Sequence, residues 1–356
     1  MVNEIVIVIN PGSTSTKLAL YNRNGEIKSN SIKHEQSELD KFNRITDQFD
    51  YRSGMIKEVV NTMLENNNFK VVGIVGRGGI VKPLTGGTYR INEAFIKDAK
   101  EGTYGDHASN LGSLIADRLK DDFGLKNSYT VDPVSSGNMW GKSEISGVPS
   151  IKRVGRGHPL NMKMTARKIA KLQAIPFKDT CYVIAHLGGG ISISLAIGGK
   201  FVDVNDALLG MGPFSPNRAG ALPLRGLMDL CYSMPRKDLE SQLSKNSGLK
   251  AYLGAEDIRD VLKMIEDGDE NASLIYDAFV YQIAKEIGAY FAASKAKAQA
   301  IIITGGIAYS EKFINDLKDY VGSLTEFHVY PGENEMEALA EGIFRVIDKE
   351  EEAQEY

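Results

Sequence analysis

The chain has 356 residues, of which 42% are hydrophobic and 25% charged, the composition of a soluble globular protein long enough for two domains. Its 42 basic and 46 acidic side chains give a net charge of −4, which argues against nucleic acid or an anionic membrane as a partner. No secretory signal begins the chain, no apolar run approaches the roughly 20 residues of a membrane span, and Cys181 and Cys231 are interpreted as inert core thiols. These features predict a cytoplasmic protein.

The first predicted element is a hairpin over residues 5–20, in which a buried strand ends in the polar turn PGSTS and the chain resumes as a second strand. Gly12 lets the backbone of this turn approach a ligand closely, so the tip is a candidate phosphate cradle. An ordinary hairpin with a polar tip is the alternative, because such turns are common. The side chains that offer donors or charge at the tip are Ser13, Ser15 and Lys17.

Alternating strand and helix patterns follow, which predict an α/β domain. A turn at Asn22–Gly25 joins the second strand to a third, so the domain begins with an antiparallel meander. Helical spacing is found from Leu39 to Asn66 and from His107 to Phe123. Buried strands are predicted at 71–75, which runs into Gly76-Arg77-Gly78-Gly79, and at 128–131, which ends in Asp132-Pro133.

The opening meander is repeated in the second half of the chain, with strands at 182–185, 191–196 and 201–204 and a turn HLGGG at 186–190. Two copies of one meander predict two similar domains with a ligand cleft between them. Helices at 257–265 and 272–295 follow, and the apolar stripe of the second is predicted to lie in the core. The remaining predicted elements are a strand at 300–304 that breaks at Gly305-Gly306, a helix at 336–348 and a solvated tail at 349–356.

Each candidate functional residue also has a simpler structural explanation. Arg77 lies among three glycines after a strand, which suits a guanidinium that enters a cleft, whereas a surface arginine needs no such setting. A histidine in the position of His107 is more often a residue at the start of a helix than a ligand, His158 is equally consistent with a loop histidine, and Asp132 with a turn cap. No His/Cys cluster has transition-metal spacing, so any metal is expected to be a hard cation bound through oxygen.

Six segments in order resemble the acetokinase family of the acetate and sugar kinase/Hsp70/actin superfamily, most closely its butyrate kinase branch. The resemblance runs from the first strand to the last helix. It implies an α/β fold of two similar ribonuclease H-like (actin-like) domains that arose by internal duplication, 1–148 plus about 340–356 on the acid and phosphate side and 149–339 on the nucleotide side. The segments are VINPGSTSTK (8–17), VGRGGIVKP (75–83), GDHASNLG (105–112), HLGGG (186–190), GPFSPNRAG (212–220) and ITGGIA (303–308).

The resemblance implies reversible, direct in-line phosphoryl transfer from MgATP to a short-chain carboxylate, which gives an acyl phosphate and ADP. A carboxylate with a pKa near ~4.3 is already ionised at neutral pH, so the nucleophile needs no strong base. Cations and positioned donors instead offset the negative charge that develops in transfer. The resemblance also implies a homo-oligomer, a dimer or larger.

The roles of individual residues are carried over by position in the matching segments. Arg77 and Arg218 correspond to the pair that holds the acid carboxylate and the phosphoryl group, His158 to the transition-state histidine and Asp132 to the catalytic aspartate. Mg²⁺ corresponds to Asn10 and Glu335. The nucleotide and its phosphates correspond to Ser13, Ser15, Lys17, His186, Gly188, Gly189, Gly190, Asp257, Ile258, Arg259, Gly305, Gly306 and Ile307.

Departures from the acetate-specific members favour a longer acid. Gly79 and Gly157 stand where those members have valine and phenylalanine, and with Arg77 and His107 they form the expected acid pocket. Each additional buried CH₂ contributes about 0.8 kcal/mol, so butyrate or a branched acid such as isobutyrate is expected. Asn161 stands where the acetate-specific members have the second histidine of their FHGTSH segment. An acetate or propionate kinase with a relaxed pocket is the alternative, and a nucleotide-driven binding protein of the actin or Hsp70 kind is the alternative from another class.

Overall fold

The computed structural model describes residues 3–65 and 67–356, and the chain forms two compact units. One unit contains the residues up to Ser136 together with Asn334–Tyr356, and the other contains Gly137–Glu333. Each unit has its own mixed sheet and its own hydrophobic core, as expected for an α/β protein of two similar domains. In the part of the chain that is described, no helix has both the length and the apolar content needed to cross a membrane.

The first unit contains a six-stranded sheet in the order β3-β2-β1-β4-β6-β5. Strands β1, β2 and β3 form the antiparallel meander that the opening sequence predicts, and β4 and β6 continue the sheet in parallel with β1. The strands are β1 (Asn3–Pro11), β2 (Ser15–Asn22), β3 (Gly25–Lys33), β4 (Phe69–Gly76), β5 (Thr88–Arg90) and β6 (Tyr129–Val131). The helices are α1 (Gln36–Leu39), α2 (Phe49–Leu64), α3 (Glu93–Glu101), α4 (Asn110–Lys120) and, last in the chain, α13 (Glu335–Ile347), with 3₁₀ turns at Ile45–Gln48 and Asp121–Phe123.

Two helices of this unit begin later than the sequence pattern indicates. The predicted helix from Leu39 becomes α2 only at Phe49, because Arg44 is extended (φ −124°) and its N–H is capped by the carboxylate of Asp47 at 3.1 Å. Its predicted end at Asn66 lies outside the described residues. Helix α4 begins at Asn110 rather than His107, since the three residues before it form a turn.

The second unit repeats the meander, as the sequence predicts, in a five-stranded sheet of order β11-β10-β7-β8-β9. Strands β7, β8 and β9 are antiparallel neighbours, and β10 and β11 extend the sheet in parallel with β7. The strands are β7 (Cys181–Leu187), β8 (Ile191–Ile197), β9 (Lys200–Val204), β10 (Ala300–Gly305) and β11 (Glu326–Pro331). The helices are α5 (Gly141–Glu144), α6 (Pro159–Leu172), α7 (Leu224–Ser233), α8 (Arg236–Lys245), α9 (Gly248–Leu253), α10 (Ile258–Glu266), α11 (Glu270–Ala293) and α12 (Glu311–Val321), with 3₁₀ turns at Phe177–Asp179 and Gly306–Tyr309.

The apolar stripe of α11 lies in the core of the second unit, which confirms its structural interpretation. Phe279, Ile283 and Ile287 are fully buried and recur every four residues, so they lie on one face of the helix. Burying each such side chain contributes about 1.5–3 kcal/mol, and this face packs against the sheet strands β7 and β8. The stripe therefore holds α11 against the two strands that flank the glycine turn at 188–190.

Two sequence-based expectations about exposure are wrong. The last eight residues were expected to be solvated, but the Tyr356 hydroxyl donates to Asp98 Oδ2 at 2.6 Å and accepts from the Lys82 N–H at 3.1 Å. The Tyr356 ring also packs edge-on against Phe95, with ring centroids 4.9 Å apart, so the tail is docked on the first unit. Cys231 is exposed on α7 rather than a core thiol.

Candidate functional site

Three predicted site residues follow parallel strands at one edge of the first unit's sheet. Asn10 lies near the end of β1, Arg77 follows β4 and Asp132 follows β6, and these strands are parallel neighbours. Because the carboxyl ends of parallel strands meet at one edge of a sheet, the fold brings the three residues to that edge. Glu335, the first residue of α13, contacts two of them there.

Glu335 connects Asn10 and Arg77. Its Oε2 accepts a hydrogen bond from Asn10 Nδ2 at 2.9 Å and forms an ion pair with Arg77 Nη1. Arg77 is only 8% exposed, and its buried Nε has no hydrogen-bond acceptor among the described residues. An unsatisfied buried donor costs about 1–3 kcal/mol, so an anion that reached this N–H would gain that interaction. The cluster thus combines a guanidinium donor for an anion with amide and carboxylate oxygens that suit a hard cation.

His107 lies in the turn before α4, and its hydrogen bonds show which ring nitrogen carries the proton. Its Nδ1 accepts a hydrogen bond from the Ser109 backbone N–H at 3.2 Å and lies 2.7 Å from Ser109 Oγ. Because a backbone N–H can only donate, Nδ1 must be unprotonated, and the ring proton of the neutral form lies on Nε2. Burial, and then the charge of Arg77, lower the pKa of His107. The residue is therefore a neutral imidazole with one N–H available to donate at physiological pH.

Asp132 has an unusual backbone conformation. Its φ of 39° lies in the left-handed region, which costs a non-glycine residue on the order of 1–3 kcal/mol and is frequent at functional sites. Two hydrogen bonds to Gly87 hold it there, one from the Asp132 N–H to the Gly87 carbonyl at 3.0 Å and one from the Gly87 N–H to Asp132 Oδ1 at 2.9 Å. The carboxylate is thus buried and fixed at the end of β6.

The hairpin tip lies beside the same edge of the sheet. Ser13 is exposed at the tip, Ser15 is the first residue of β2, and Lys17 is exposed two residues further along the strand. Lys17 is directly opposite Asn10 in the β1–β2 register, and opposed residues of an antiparallel pair share a face of the sheet. The tip and its lysine therefore accompany the Asn10 cluster on one side of the first unit.

Gly79 is surrounded by protein rather than by open space. A Cβ on Gly79 would lie 1.8 Å from Asn110 Oδ1 and 2.5 Å from the Asn110 backbone nitrogen. Asn110 Oδ1 in turn accepts a hydrogen bond from the Ile80 N–H at 2.9 Å. The glycine is thus required by the close packing of this loop on the start of α4, and its assignment to the acid pocket stays a prediction.

Two predicted residues of the second unit form a stacked pair. The rings of His158 and His186 are 3.9 Å apart between centroids and nearly parallel, at 13°. His158 precedes Pro159 at the start of α6, and its Nδ1 lies 2.9 Å from Ser192 Oγ. His186 is the sixth residue of β7 rather than part of the turn, and its Nδ1 lies 2.9 Å from Asn161 Nδ2. Because His186 is almost completely buried, its ring is held in place, and the stack on it fixes the orientation of the His158 ring.

Arg218 is attached to the glycine turn that follows β7. Its Nη1 donates to the Ala207 carbonyl, and a Cβ on Gly190 would lie 2.3 Å from the same Nη1 atom. Ser215 Oγ donates to the Gly189 carbonyl at 2.8 Å and accepts from the Arg218 N–H at 3.2 Å. Burial lowers the pKa of Arg218, and its buried Nε has no acceptor in the described parts of the chain. Arg218 therefore resembles Arg77 in offering a desolvated donor to an anion.

The three segments predicted to contact the nucleotide line one cavity of the second unit, with a volume of about 540 Å³. They are the glycine turn after β7, the start of α10 and the 3₁₀ turn after β10. Of the predicted residues in these segments, His186, Gly190 and Gly305 do not line the cavity, and Gly305 exchanges two backbone hydrogen bonds with Gly332. The lining residues are Gly188, Gly189, Pro216, Glu256, Asp257, Ile258, Arg259, Gly306, Ile307, Tyr309 and Ser310.

Asp257 and Arg259 are partners of each other in this cavity wall. Asp257 caps α10 by accepting from the Arg259 N–H at 2.9 Å, and its carboxylate pairs with the Arg259 guanidinium at 2.5 Å. These hydrogen bonds from Arg259 lower the pKa of Asp257 to about 2. The Asp257 carboxylate is thus charged at any physiological pH.

Sequence reasoning missed several residues at these positions. Tyr309 and Ser310 line the cavity directly after the predicted glycine segment, and Ser215 fixes the orientation of Arg218. Ser215 lies inside the segment GPFSPNRAG that carried the resemblance, so its hydroxyl was a signal available in the sequence. Tyr309 had no such signal, because its place beside the cavity depends on the 3₁₀ turn after β10.

Comparison with known proteins agrees with the motifs of the chain. Residues 148–350 match the model of the acetokinase family. The chain is 40% identical to a protein of Clostridium acetobutylicum named butyrate kinase 2, over 99% of both chains.

Solved structures share the fold at low sequence identity. The acetate kinase of Porphyromonas gingivalis is 16% identical with a TM-score of 0.77, covering 96% of this chain and 99% of that one. A propionate kinase of Francisella tularensis is 18% identical with a TM-score of 0.73 over the same shares. These likenesses establish a common fold. Together with the family match over more than half of the chain, the full-length relative shows that this chain belongs to the acetokinase family.

Proposed function

We propose that the chain transfers the terminal phosphoryl group of ATP to the carboxylate of a short-chain fatty acid, most readily butyrate, by reversible in-line transfer. The observation that supports this most directly is the environment of Arg77. Its guanidinium is almost buried, its Nε lacks an acceptor among the described residues, and it pairs with a carboxylate that also binds Asn10. A carboxylate substrate or a phosphoryl oxygen is the kind of anion that such a donor binds.

The chemistry requires positioning more than acid or base catalysis. The acid is already ionised, so one of its oxygens attacks the terminal phosphorus while the bond to the ADP oxygen breaks. In this proposal Arg77 and Arg218 bind the acid carboxylate and the transferring group, whose equatorial oxygens gain charge in the transition state. His158, held by its stack on His186, donates to the same oxygens. Asp132, fixed by Gly87, orients the groups at the end of β6.

Mg²⁺ fits the donor set of the first unit. Asn10 and Glu335 offer an amide oxygen and a carboxylate, the oxygen ligands that this cation prefers, and phosphates and waters complete its coordination. When bound, the cation neutralises charge on the phosphates. Among the described residues no group of three or more His, Cys, Asp or Glu side chains is arranged to hold a metal by itself.

The nucleotide is proposed to occupy the cavity of about 540 Å³ in the second unit. Backbone N–H groups of a glycine turn bind phosphate without steric hindrance, and Gly188 and Gly189 line one wall. The segments at Asp257 and Gly306 line the rest, as the resemblance implies for adenosine. In this proposal the first unit supplies Arg77, Asp132 and the Mg²⁺ ligands, and the second unit binds the nucleoside and supplies the glycine turn, His158 and Arg218 to the phosphates.

The preference for butyrate rests on the relative of Clostridium acetobutylicum. The two glycines do not add to it, because a Cβ would lie 1.8 Å from Asn110 Oδ1 at Gly79 and 2.9 Å from Ser192 Oγ at Gly157, so protein atoms fill the space beside both. We further propose a homo-oligomer that works in the cytoplasm. Leu224, Met228 and Tyr232 are exposed on one face of α7, which is the kind of apolar surface that a second copy covers.

The test is a hydroxamate assay with ATP, Mg²⁺ and a series of acids from acetate to hexanoate. A carboxylate kinase forms hydroxamate only when acid is present, with the highest kcat/KM expected for butyrate. An optimum at acetate or propionate would favour the relaxed-pocket alternative, and slow ATP hydrolysis that ignores the acid would favour a nucleotide-driven binding protein. Arg118→Ala, an exposed arginine paired with Asp50, is the matched control for Arg77→Ala.

A further inference from the structure

The carbonyl groups of the hairpin tip are bound from inside the first unit by Arg52, a residue of α2 with no assigned role. Arg52 Nη1 donates to the Gly12 carbonyl at 2.8 Å, and Arg52 Nη2 donates to the Ser13 carbonyl at 2.7 Å. The next carbonyl, that of Thr14, accepts from the His34 N–H at 2.9 Å. Three consecutive carbonyls of the tip therefore point into the protein.

This arrangement determines where the N–H groups of the tip point. In a trans peptide the C=O and the N–H of the next residue point in opposite directions. Inward carbonyls of Gly12 and Ser13 thus turn the N–H groups of Ser13 and Thr14 outward. Both residues are exposed, and among the described residues no hydrogen bond from either N–H is found. Two adjacent outward N–H groups form the concave nest that binds anions in many proteins.

Arg52 also brings an unneutralised positive charge to the back of this nest. Its side chain is completely buried, yet within the described part of the chain no carboxylate lies within ion-pair distance. Its other acceptors are neutral as well: Gln48 Oε1, at 3.0 Å from Nε and 2.7 Å from Nη2, and Thr16 Oγ1, at 3.5 Å from Nη1. Burial lowers the pKa of Arg52 to about 10, which leaves it charged at neutral pH. A buried charge held by neutral dipoles projects its field toward the tip, because no counter-ion cancels it.

We propose that Arg52 is the positioning residue of a phosphate-binding hairpin tip, where it aims the N–H groups of Ser13 and Thr14 and supplies positive charge to a bound phosphate. The inference depends on the proposed function, since it takes the polyphosphate of the nucleotide as the ligand. Arg52 is completely buried and its guanidinium donates to the Gly12 and Ser13 carbonyls, so it acts through the hairpin. Gln48 completes this arrangement, because its neutral amide oxygen accepts from the guanidinium without neutralising the positive charge.

Gln48→Glu separates this role from a purely structural one. The change is nearly isosteric and places a carboxylate on Arg52, so the fold gains an ion pair while the tip loses its positive field. We expect an unchanged or higher melting temperature, and KM for MgATP raised about tenfold with kcat changed less than twofold. Asn61→Asp, which adds the same charge at an exposed position of α2, the helix of Arg52, is the matched control and is expected to leave KM unchanged.

Binding of magnesium tripolyphosphate, measured by calorimetry, makes the test independent of catalysis. Affinity that falls about tenfold in Gln48→Glu but not in Asn61→Asp supports the inference, even if the wild-type chain phosphorylates no acid and the proposed function fails. Equal affinity and equal KM in wild type and Gln48→Glu overturn it. If Gln48→Glu does not fold, Arg52→Lys decides, because lysine keeps the charge but cannot bind two carbonyls as a fork. Wild-type KM and affinity in Arg52→Lys would then overturn the inference.

Discussion

Replacing Gly79 by alanine should destabilise the first unit rather than change the preference for acids. The new Cβ would lie 1.8 Å from Asn110 Oδ1 and 2.5 Å from the Asn110 backbone nitrogen. Contacts this short cannot be relieved by a rotamer change alone, because one partner belongs to the backbone at the start of α4. Asn110 itself is completely buried, so it has no solvent space into which to move.

The size of the effect follows from the hydrogen bonds of Asn110. Its Oδ1 accepts from the Ile80 N–H at 2.9 Å, and its Nδ2 donates to the Ala99 carbonyl at 3.2 Å and the Gly105 carbonyl at 2.9 Å. Displacing the side chain loses two or three such bonds at about 1 kcal/mol each. We therefore expect a loss of about 3 kcal/mol in the free energy of unfolding. For a unit of this size that corresponds to a melting temperature lower by about 6–12 °C.

Thermal unfolding, followed by circular dichroism with and without nucleotide, measures this change. Gly54→Ala is the matched control: it lies exposed in α2 with no atom within 4 Å of its Cβ, so it should stabilise by about 0.5–1 kcal/mol. A Gly79→Ala variant that melts within 2 °C of wild type, or that shifts the acid preference at an unchanged melting temperature, would refute the packing argument and restore the pocket interpretation.

Other consequences can be measured on single variants. Arg77→Ala and Arg218→Ala should each lower kcat/KM by about 10²–10³ in the hydroxamate assay, whereas Arg118→Ala should not, and near-normal activity in both would remove them from the site. His34, whose pKa burial and the Arg52 charge lower to about 4, is protonated more readily in the unfolded chain, so its contribution to stability is complete above about pH 6.5 and falls as pH drops. The free energy of unfolding should therefore fall by about 2 kcal/mol between pH 7.5 and 5, and denaturant titrations of His34→Gln should lack this part of the pH dependence. Tyr356→Phe removes two hydrogen bonds of the docked tail and should lower the melting temperature by about 4–8 °C, and no change in a thermal scan would mean that the docking contributes little.

The local patterns of the sequence predicted the framework on which the site is built. β-Branched runs that end in glycine or polar turns gave the two meanders, and four-residue spacing gave the buried face of α11. These signals depend only on residues a few positions apart, so they can be recognised without knowledge of the fold. The patterns also placed Arg77 and Asp132 directly after predicted strands, but that these residues meet Asn10 at one edge follows only from the parallel strand order in the structure.

What the local patterns did not predict depends on partners far apart in the chain. Glu335 binds Asn10 across 325 positions, and only the family resemblance had brought these two together; the docking of Tyr356 on Lys82 and Asp98 likewise joins the last residue to the first unit. Neither pairing leaves a trace in periodicity or composition. The space beside Gly79 also depends on a part of the chain that is not adjacent in sequence, because Asn110 at the start of α4 fills it.

Arg52 is the instructive case, because a signal was present and was not used. It lies four residues before Ile56, which lies four before Val60, so the arginine is on the apolar face of α2. An arginine on a buried face needs acceptors, and the nearest in sequence, Gln48, is again four residues away on the same face. A charged residue inside a hydrophobic stripe therefore indicates that the helix also binds polar groups, in addition to packing on the core. In this chain Arg52 binds the hairpin tip at Gly12 and Ser13, the turn whose polar composition first suggested a phosphate cradle.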